Sequence, residues 1–154
     1  MRAETYTDIR PVYSQTKTIA VVGASSDPEK PAHAVPAYLQ SQGYRIVPVN
    51  PRVTELFGER GYPSLADVDL EVDLVEVFRP PGETPEIAAA AVALGASTLW
   101  LQLGIVSEEA AEIGDAGGLT VVMDRCMGIM HGELGLGPGI HPWLWEHPHY
   151  DEEG

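Results

Sequence analysis

The stretch Ile19–Leu39, "IAVVGASSDPEKPAHAVPAYL", decides the fold. It begins within a short apolar run, Thr18–Gly23, which is rich in β-branched residues and typical of a strand buried on both faces of a parallel sheet. A loop of small residues follows, and then a helix that we expect over His33–Gln42, with Gly43 ending it. A strand, a glycine turn and a helix in this order predict an α/β protein with an anion-binding loop.

The rest of the chain repeats this alternation of strand and helix. Further strands are expected at Arg45–Pro51, Val72–Phe78, Thr98–Leu103 and Leu119–Asp124, and further helices at Glu4–Gln15, Pro85–Leu94 and Ser107–Ala116. In the second strand, Pro48 favours an edge or bulged position because proline cannot donate to the ladder. Strands joined by helical crossovers pair in parallel. We therefore expect one α/β domain with a Rossmann-like, doubly wound sheet of five mainly parallel strands, an N-terminal helical extension at residues 4–15 and an irregular C-terminal tail at residues 133–154.

Composition narrows the classes of partner. The length of 154 residues predicts a single domain, and one cysteine excludes an intramolecular disulfide framework. The N-terminus lacks the apolar core of a signal peptide, so we expect a cytoplasmic protein. A net charge of −14 repels nucleic acids and anionic membranes, and no apolar run approaches the length of a membrane span. Any phosphate ligand must therefore be held by local dipoles and a few placed cations.

The loop after the first strand departs from the dinucleotide fingerprint G-x-G-x-x-G. Only Gly23 is present, and the second strand ends in Asn50 where an NAD site would place Asp or Glu. No P-loop motif occurs. The second strand is followed instead by Arg52, near the place of an adenosine ribose. An arginine there suits an additional ribose phosphate, as in NADP or coenzyme A.

Proline within the following helix indicates where that helix begins. Pro36 is tolerated best in a first turn, whose N–H groups have no helical partner, so we expect the helix to begin near Ala32 or His33. Its exposed amides would then lie beside Ser25 and Ser26 at the carboxyl end of the first strand. Helix amides, the positive end of the helix dipole and serine hydroxyls together predict an anion site.

The remaining strand ends supply further candidates, because ligands of open α/β sheets bind outside the carboxyl ends of the strands. We expect Phe78 to stack on an adenine or to cover a pantetheine chain, and Arg79 to reach a phosphate. The full set is Phe78 and Arg79 after the third strand, Gln102 and Gly104 after the fourth, and Asp124, Arg125 and Cys126 after the fifth.

Catalytic and metal-binding roles find less support in the sequence. A thiolate at Cys126 beside Arg125 would have a lowered pKa, but no histidine is placed by the sequence as its base. The tail histidines His141, His147 and His149 do not have the spacing that brings two ligands to one helix face. We therefore expect neither a catalytic residue nor a metal site.

Five segments of the chain together resemble a known family. They are "IAVVGASSDPEKPAHAVPAYLQSQGYRIVPVNPR", "LFGERGYPSLADV", "VDLVEVFRPPGETPEI", "GASTLWLQLGI" and "VVMDRCMGIMHG". They resemble the small stand-alone CoA-binding proteins and the CoA-binding domain of the succinyl-CoA synthetase alpha subunit. The resemblance covers Ile19 to Gly132. It implies a Rossmann-like CoA-binding fold without an assigned reaction, and the ligase activity of the synthetase is not implied because its phosphohistidine segment has no counterpart here.

The resemblance also implies positions for the parts of coenzyme A. The adenosine end would meet the strand end at Asn50–Arg52, with Lys30, Arg52 and Arg79 as the cations. His33 stands where relatives often carry a hydroxyl or aromatic residue. In full, the implied contacts are Gly23, Ala24, Ser25, Ser26, Lys30 and His33 for the pyrophosphate; Asn50, Pro51 and Arg52 for the adenosine; and Phe78, Arg79, Gln102, Gly104, Arg125 and Cys126 along the nucleotide and pantetheine.

The sequence thus predicts a protein that binds coenzyme A or an acyl-CoA at the carboxyl ends of its strands, without evident catalysis of its own. Three alternatives stay open: an NADP-dependent reductase, an acyl-transfer enzyme that uses Cys126, and a redox-linked carrier in which Cys126 forms a mixed disulfide with coenzyme A. A homo-oligomer or an unidentified protein partner is also compatible with the sequence.

Overall fold

Seven strands and five helices alternate along the chain in a computed structural model, which describes residues 1–140 and 149–151. The strands are β1 Thr18–Val22, β2 Arg45–Val49, β3 Glu55–Leu56, β4 Glu59–Arg60, β5 Leu74–Val77, β6 Thr98–Leu101 and β7 Thr120–Val122. The helices are α1 Tyr6–Ser14, α2 Pro31–Ser41, α3 Thr84–Leu94, α4 Glu108–Ala116 and α5 Met127–Glu133. Half of the predicted irregular tail, including His141 and His147, lies outside the described residues.

Five of the strands form one parallel sheet in the order β2-β1-β5-β6-β7. The predicted fold class, a doubly wound Rossmann-like α/β sheet, is confirmed. β2 is an edge strand, as Pro48 predicted. The chain passes from β1 to β2 on one side and later to β5 on the other side, so β1 lies at the switch point where α/β sheets form their ligand crevice.

Helices cover both faces of this sheet. One hydrophobic cluster joins α1, α2 and α5 to one face through residues such as Ile9, Leu39 and Met127. A second cluster joins α3 and α4 to the opposite face through small residues such as Ala88 and Ala111. Strands buried on both faces explain why the strand segments are apolar almost without interruption.

Several predicted element ends are confirmed. Gly43 and Gly95 follow α2 and α3 with φ of 103° and 88°, in the left-handed region that favours glycine. The Ser107 side chain accepts a hydrogen bond from the Ala110 amide at the start of α4. Two elements were not expected: α5, within the segment predicted to lead into an irregular tail, and the β3–β4 hairpin, whose turn at Phe57 and Gly58 has φ values of 58° and 74°.

Pro36 has a different place in α2 from the one expected. The helix begins at Pro31, so Pro36 lies in its second turn. A proline there has no N–H to donate to the carbonyl four residues earlier, which belongs to Ala32. That carbonyl accepts instead from the Ser25 amide, at 3.2 Å. The proline therefore frees an acceptor that fixes the loop after β1 to the start of α2.

Two carboxylates interrupt the apolar pattern around β5, and the structure assigns them different environments. Asp73 accepts from the amides of Lys17 and Thr18, both at 2.9 Å, and so fixes the start of β1. Glu76 is fully buried between Val21 and Trp100 of the neighbouring strands. Among the described residues no group forms a hydrogen bond with its carboxylate oxygens. Burial raises the pKa of Glu76 to about 8.

Glu76 makes folding stability dependent on pH. Between the ordinary pKa of 4.5 and the folded value of about 8, the folded protein holds a proton that the unfolded chain has released. Stability contributed by this proton is complete below the lower value and is lost as pH rises through the upper one. From about pH 7 to about pH 8.5 we expect the free energy of unfolding to fall by roughly 1 kcal/mol because of Glu76. Urea denaturation at several pH values measures this change.

Glu76→Gln is the matched variant, since it keeps the size of the side chain and removes the proton. We expect this variant to lose the decline between pH 7 and pH 8.5. The window is chosen above the range in which the buried His149 contributes, because burial lowers the pKa of that histidine from 6.5 to about 4. A decline of equal size in both proteins would contradict the assignment.

Candidate functional site

A crevice of about 550 Å³ opens at the carboxyl ends of β1, β2 and β5. Gly23 and the turn Asn50–Arg52 form its floor and one side. The segment Pro63–Ala66 and the helix α3, through Ile87 and Ala90, form an opposing wall that is largely apolar. The crevice therefore combines backbone and charged groups at the strand ends with an apolar surface, as ligand sites in α/β sheets do.

Gly23 is required by the geometry of the turn after β1. Its φ is +90°, and its amide donates to the Val49 carbonyl at 2.9 Å. A Cβ at this position would be 3.0 Å from the Phe78 carbonyl oxygen and 3.0 Å from Cδ of Arg79. Only glycine both adopts this conformation without strain and leaves room for these neighbours. Because Gly23 has no side chain, the backbone at the switch point is open to the crevice.

Asn50 connects the ends of β1 and β2. Its side-chain amide donates to the Ala24 carbonyl at 2.8 Å, and its side-chain oxygen accepts from the Arg52 amide at 2.9 Å. Asparagine thus fixes two loops at once, where a carboxylate could not donate. Pro51 and Arg52 remain exposed at the mouth of the crevice. The structure therefore places these three predicted residues together with Gly23.

The loop between β1 and α2 is held by its own polar groups. The Ser25 amide donates to the Ala32 carbonyl and is therefore engaged within the chain. The Ser25 hydroxyl accepts from the Asp27 amide at 3.0 Å, and the Ser25 backbone carbonyl accepts from Nδ1 of His33 at 2.7 Å. Ser26 is exposed. The hydroxyls of Ser25 and Ser26 are donors that this conformation leaves for an anion.

The two predicted cations nearest this loop contact carboxylates and carbonyls of the chain itself. Arg79 donates to both carboxylate oxygens of Glu83, at 3.1 and 2.8 Å, and to the Asp151 carbonyl at 2.9 Å. Lys30, at the N-cap of α2, forms an ion pair with the Asp151 carboxylate. Both side chains lie at the predicted edge of the site, but each is already engaged.

Phe78 does not have the role expected of it. Its ring is buried in the core beneath α2, with an exposed fraction of 1%. The prediction that it stacks on an adenine or covers a pantetheine chain is wrong. Side chains alternate between the two faces along β5, so those of Leu74, Glu76 and Phe78 all point to the same packed face. Its carbonyl, beside Gly23, is the part of the residue that approaches the crevice.

Gln102 and Gly104 lie farther along the same edge. Gln102 is fully buried; its side chain accepts from the Met127 amide at 2.8 Å and donates to Nδ1 of His149 at 2.8 Å. Gly104 is exposed and donates its amide to Asp124 at 2.7 Å. Neither lines the 550 Å³ crevice. They mark a second stretch of the carboxyl edge, beyond β5.

Cys126 and Arg125 are not arranged as a thiolate and its cation. The Cys126 side chain is buried, and burial raises the pKa of its thiol above the ordinary value. Arg125 donates to the Glu4 carbonyl at 2.6 Å, which directs it toward the N-terminal segment. A thiol pKa lowered by Arg125 is therefore not found, because desolvation at the start of α5 raises the pKa and outweighs the hydrogen bonds that lower it.

Sequence reasoning missed the apolar wall of the crevice. Ser64 is the N-cap of a short 3₁₀ helix, Leu65–Asp67, and Ile87 and Ala90 are three residues apart on one face of α3. The spacing on α3 was a readable signal. The acidic neighbours Glu83 and Glu86 also line the crevice.

Among residues 1–140 and 149–151, no cluster of three or more His, Cys, Asp or Glu side chains could hold a metal ion. Within the same residues, no helix has the length and apolarity needed to cross a membrane.

The fold and the site define a class of protein. The sequence matches the CoA binding domain family over residues 17–132, and the chain belongs to this family. This confirms the resemblance noted for the sequence.

Known relatives include both small proteins and parts of larger enzymes. YneT of Bacillus subtilis is 37% identical over 80% of this chain and 92% of its own length. A solved structure from Thermus thermophilus is 44% identical, with a TM-score of 0.80 over 85% of this chain and 99% of that chain. The alpha subunit of the ADP-forming acetate–CoA ligase II of Pyrococcus furiosus is 30% identical over 77% of this chain but only 28% of the subunit. The domain thus occurs alone and as a part of a larger enzyme.

Replacement of Gly23 tests the close approach in the turn after β1. We expect Gly23→Ala to lower the free energy of unfolding by about 1–2 kcal/mol more than Gly43→Ala does. Both glycines have positive φ, but a Cβ at Gly43 would meet no atom within 4 Å. The Gly43→Ala control therefore measures only the backbone strain of a side chain at positive φ. Equal losses in urea denaturation would contradict the importance of the Phe78 and Arg79 contacts.

Alkylation tests the environment of Cys126. Because the thiol is buried and its pKa is raised, we expect iodoacetamide at about pH 8 to modify the folded protein at least about tenfold more slowly than the urea-unfolded chain. Mass spectrometry of timed samples gives both rates, and the single cysteine ensures a single adduct. Equal rates would restore Cys126 as a candidate nucleophile.

Proposed function

We propose that this protein binds coenzyme A or an acyl-CoA, with the nucleotide end in the crevice at the carboxyl ends of β1, β2 and β5. The observation that carries the proposal is the crevice itself, which joins the bare backbone at Gly23 to the Asn50–Arg52 turn. Membership of the CoA binding domain family supports the same ligand.

Each part of the crevice suits a part of the ligand. The apolar wall of Leu65, Ile87 and Ala90 offers a surface for an adenine ring. Arg52, exposed at the mouth, can pair with the 3′-phosphate on the ribose of coenzyme A. The open backbone at Gly23 and the hydroxyls of Ser25 and Ser26 can approach the pyrophosphate.

Electrostatics limits the affinity of this site. The chain carries a net charge of −14, and Glu83 and Glu86 line the crevice together with Arg52 and Arg79. Coenzyme A, as a polyanion, must therefore bind against the repulsion of the acidic chain. To bind Arg79 it must also replace at least part of the ion pair between Arg79 and Glu83. Apolar contact with the adenine and the exposed Arg52 have to supply much of the favourable free energy.

The structure gives the alternative functions less support. Acyl transfer and a mixed disulfide both need an accessible thiolate, whereas Cys126 is buried and its pKa is raised. An NADP-dependent reductase would share the use of Arg52 for a ribose phosphate, so NADP serves as the competing ligand in the experiment.

Isothermal titration with coenzyme A, 3′-dephospho-CoA and NADP tests the proposal. We expect coenzyme A to bind the unaltered protein and Arg52→Ala to weaken it about tenfold, because a charge-assisted contact contributes roughly 1.5 kcal/mol or more. Dephospho-CoA should bind both proteins with nearly the same affinity, since it lacks the phosphate that Arg52 contacts.

Lys17→Ala is the matched control. It removes one positive charge at the start of β1, on the opposite edge of the sheet from the crevice. We expect it to change the affinity for coenzyme A little. Binding of NADP without binding of coenzyme A would refute the proposed function, and equal weakening by both variants would refute the role of Arg52.

A further inference from the structure

The C-terminal segment His149–Asp151 crosses the carboxyl edge of the sheet. Its first residue donates a backbone N–H to the Leu103 carbonyl at 3.2 Å and accepts at Nδ1 from the Gln102 side chain at 2.8 Å. Both His149 and Gln102 are buried, with exposed fractions of 2% and 0%. The segment is thus anchored firmly at the end of β6.

Its other end reaches the cations beside β5 and β1. The Asp151 carbonyl accepts from Arg79 at 2.9 Å, and its carboxylate pairs with Lys30. The segment therefore passes the ends of β6, β5 and the β1–α2 loop in turn. This is the path along which a ligand would run from the crevice toward Gln102 if its pyrophosphate bound near Gly23.

Carboxylate and phosphate oxygens bind the same partners. A guanidinium or an ammonium group that holds a carboxylate must release it, or share it, before it can hold a phosphate. Because the Asp151 carboxylate belongs to the same chain, its effective concentration near Lys30 is high. Arg79 is held by the backbone carbonyl of the same residue and by the Glu83 carboxylate. An intramolecular anion at this position consequently opposes an incoming one.

On the basis of the proposed function, we propose that residues His149–Asp151 form a strap that occupies the phosphate-binding groups of Lys30 and Arg79 and competes with coenzyme A for them. Coenzyme A displaces the strap from these cations, and the strap lowers the apparent affinity for coenzyme A. The protein is then autoinhibited by its own C-terminal segment, with the free ligand concentration deciding which anion is bound.

Two variants release the strap at different points. Asp151→Asn removes the carboxylate charge and leaves the backbone intact, whereas His149→Ala removes the side chain that anchors the segment to Gln102. We expect each variant to bind coenzyme A about two- to fivefold more tightly than the unaltered protein, as an exposed ion pair of this kind would allow. Isothermal titration measures the affinities, and the urea midpoint verifies that each variant is folded.

Glu112→Gln is the charge control, because Glu112 is exposed on α4 and its loss changes the net charge by the same amount. We expect little change in affinity for this variant. A gain as large as that of Asp151→Asn would show that only the overall field matters and would overturn the strap.

Hydrogen exchange followed by mass spectrometry gives a readout apart from affinity. In the unaltered protein, coenzyme A should accelerate exchange in the C-terminal peptide that contains His149, since the ligand displaces the strap. Slower exchange would mean that the segment closes over the ligand, and unchanged affinity in both variants would mean that it does not compete; either result overturns the inference. If coenzyme A bound none of these proteins, the proposed function itself would fail. If coenzyme A bound but the variants behaved like the unaltered protein, only the strap would fail.

Discussion

Parallel pairing on both sides of β1 is the constraint on which the rest of the structure depends. β1 pairs in parallel with β2 and with β5. Each connection between parallel strands must cross a face of the sheet, and helices cover both faces. The three strands then end at one edge, and the chain leaves β1 at a point where its neighbours diverge. At this point Gly23 turns the backbone beneath Arg79 and the Phe78 carbonyl. The crevice follows from this topology before any ligand-specific side chain is considered.

Charge shapes the site in a second way. The chain has nine basic residues against 23 acidic ones, and in the described part of the chain four of the basic side chains, Arg2, Lys30, Arg45 and Arg79, form an ion pair with a carboxylate. Arg79 lies between Glu83 and Asp151, and Arg45 is bidentate to Glu59. Ion pairs at the surface contribute little free energy, so these cations can be exchanged between partners at modest cost. Arg79 and Lys30, at the carboxyl edge of the sheet, are thus held by groups of the chain itself.

The buried face beneath the site contains groups that burial makes less reactive. Glu76 is neutral in the core at ordinary pH, and the thiol of Cys126 is protonated for the same reason, since desolvation disfavours both anions. Tyr13, packed against Trp100 with 5.7 Å between ring centroids, donates its hydroxyl to the Met127 carbonyl at 2.6 Å. This layer supports the start of α5.

The sequence by itself determined the fold class, the five strands of the main sheet, the glycine turn and the group formed by Gly23, Asn50 and Arg52. These features depend on local rules: the apolar periodicity of buried strands, the φ that only glycine adopts freely, and the convergence of parallel strand ends. Tertiary structure alone decided that Phe78 points into the core, that the carbonyl freed by Pro36 engages Ser25, and that Asp151 reaches Lys30 and Arg79. The last contact joins residues more than 70 positions apart. No local pattern encodes it, because which carboxylate meets which cation depends on where the folded chain brings its distant segments together.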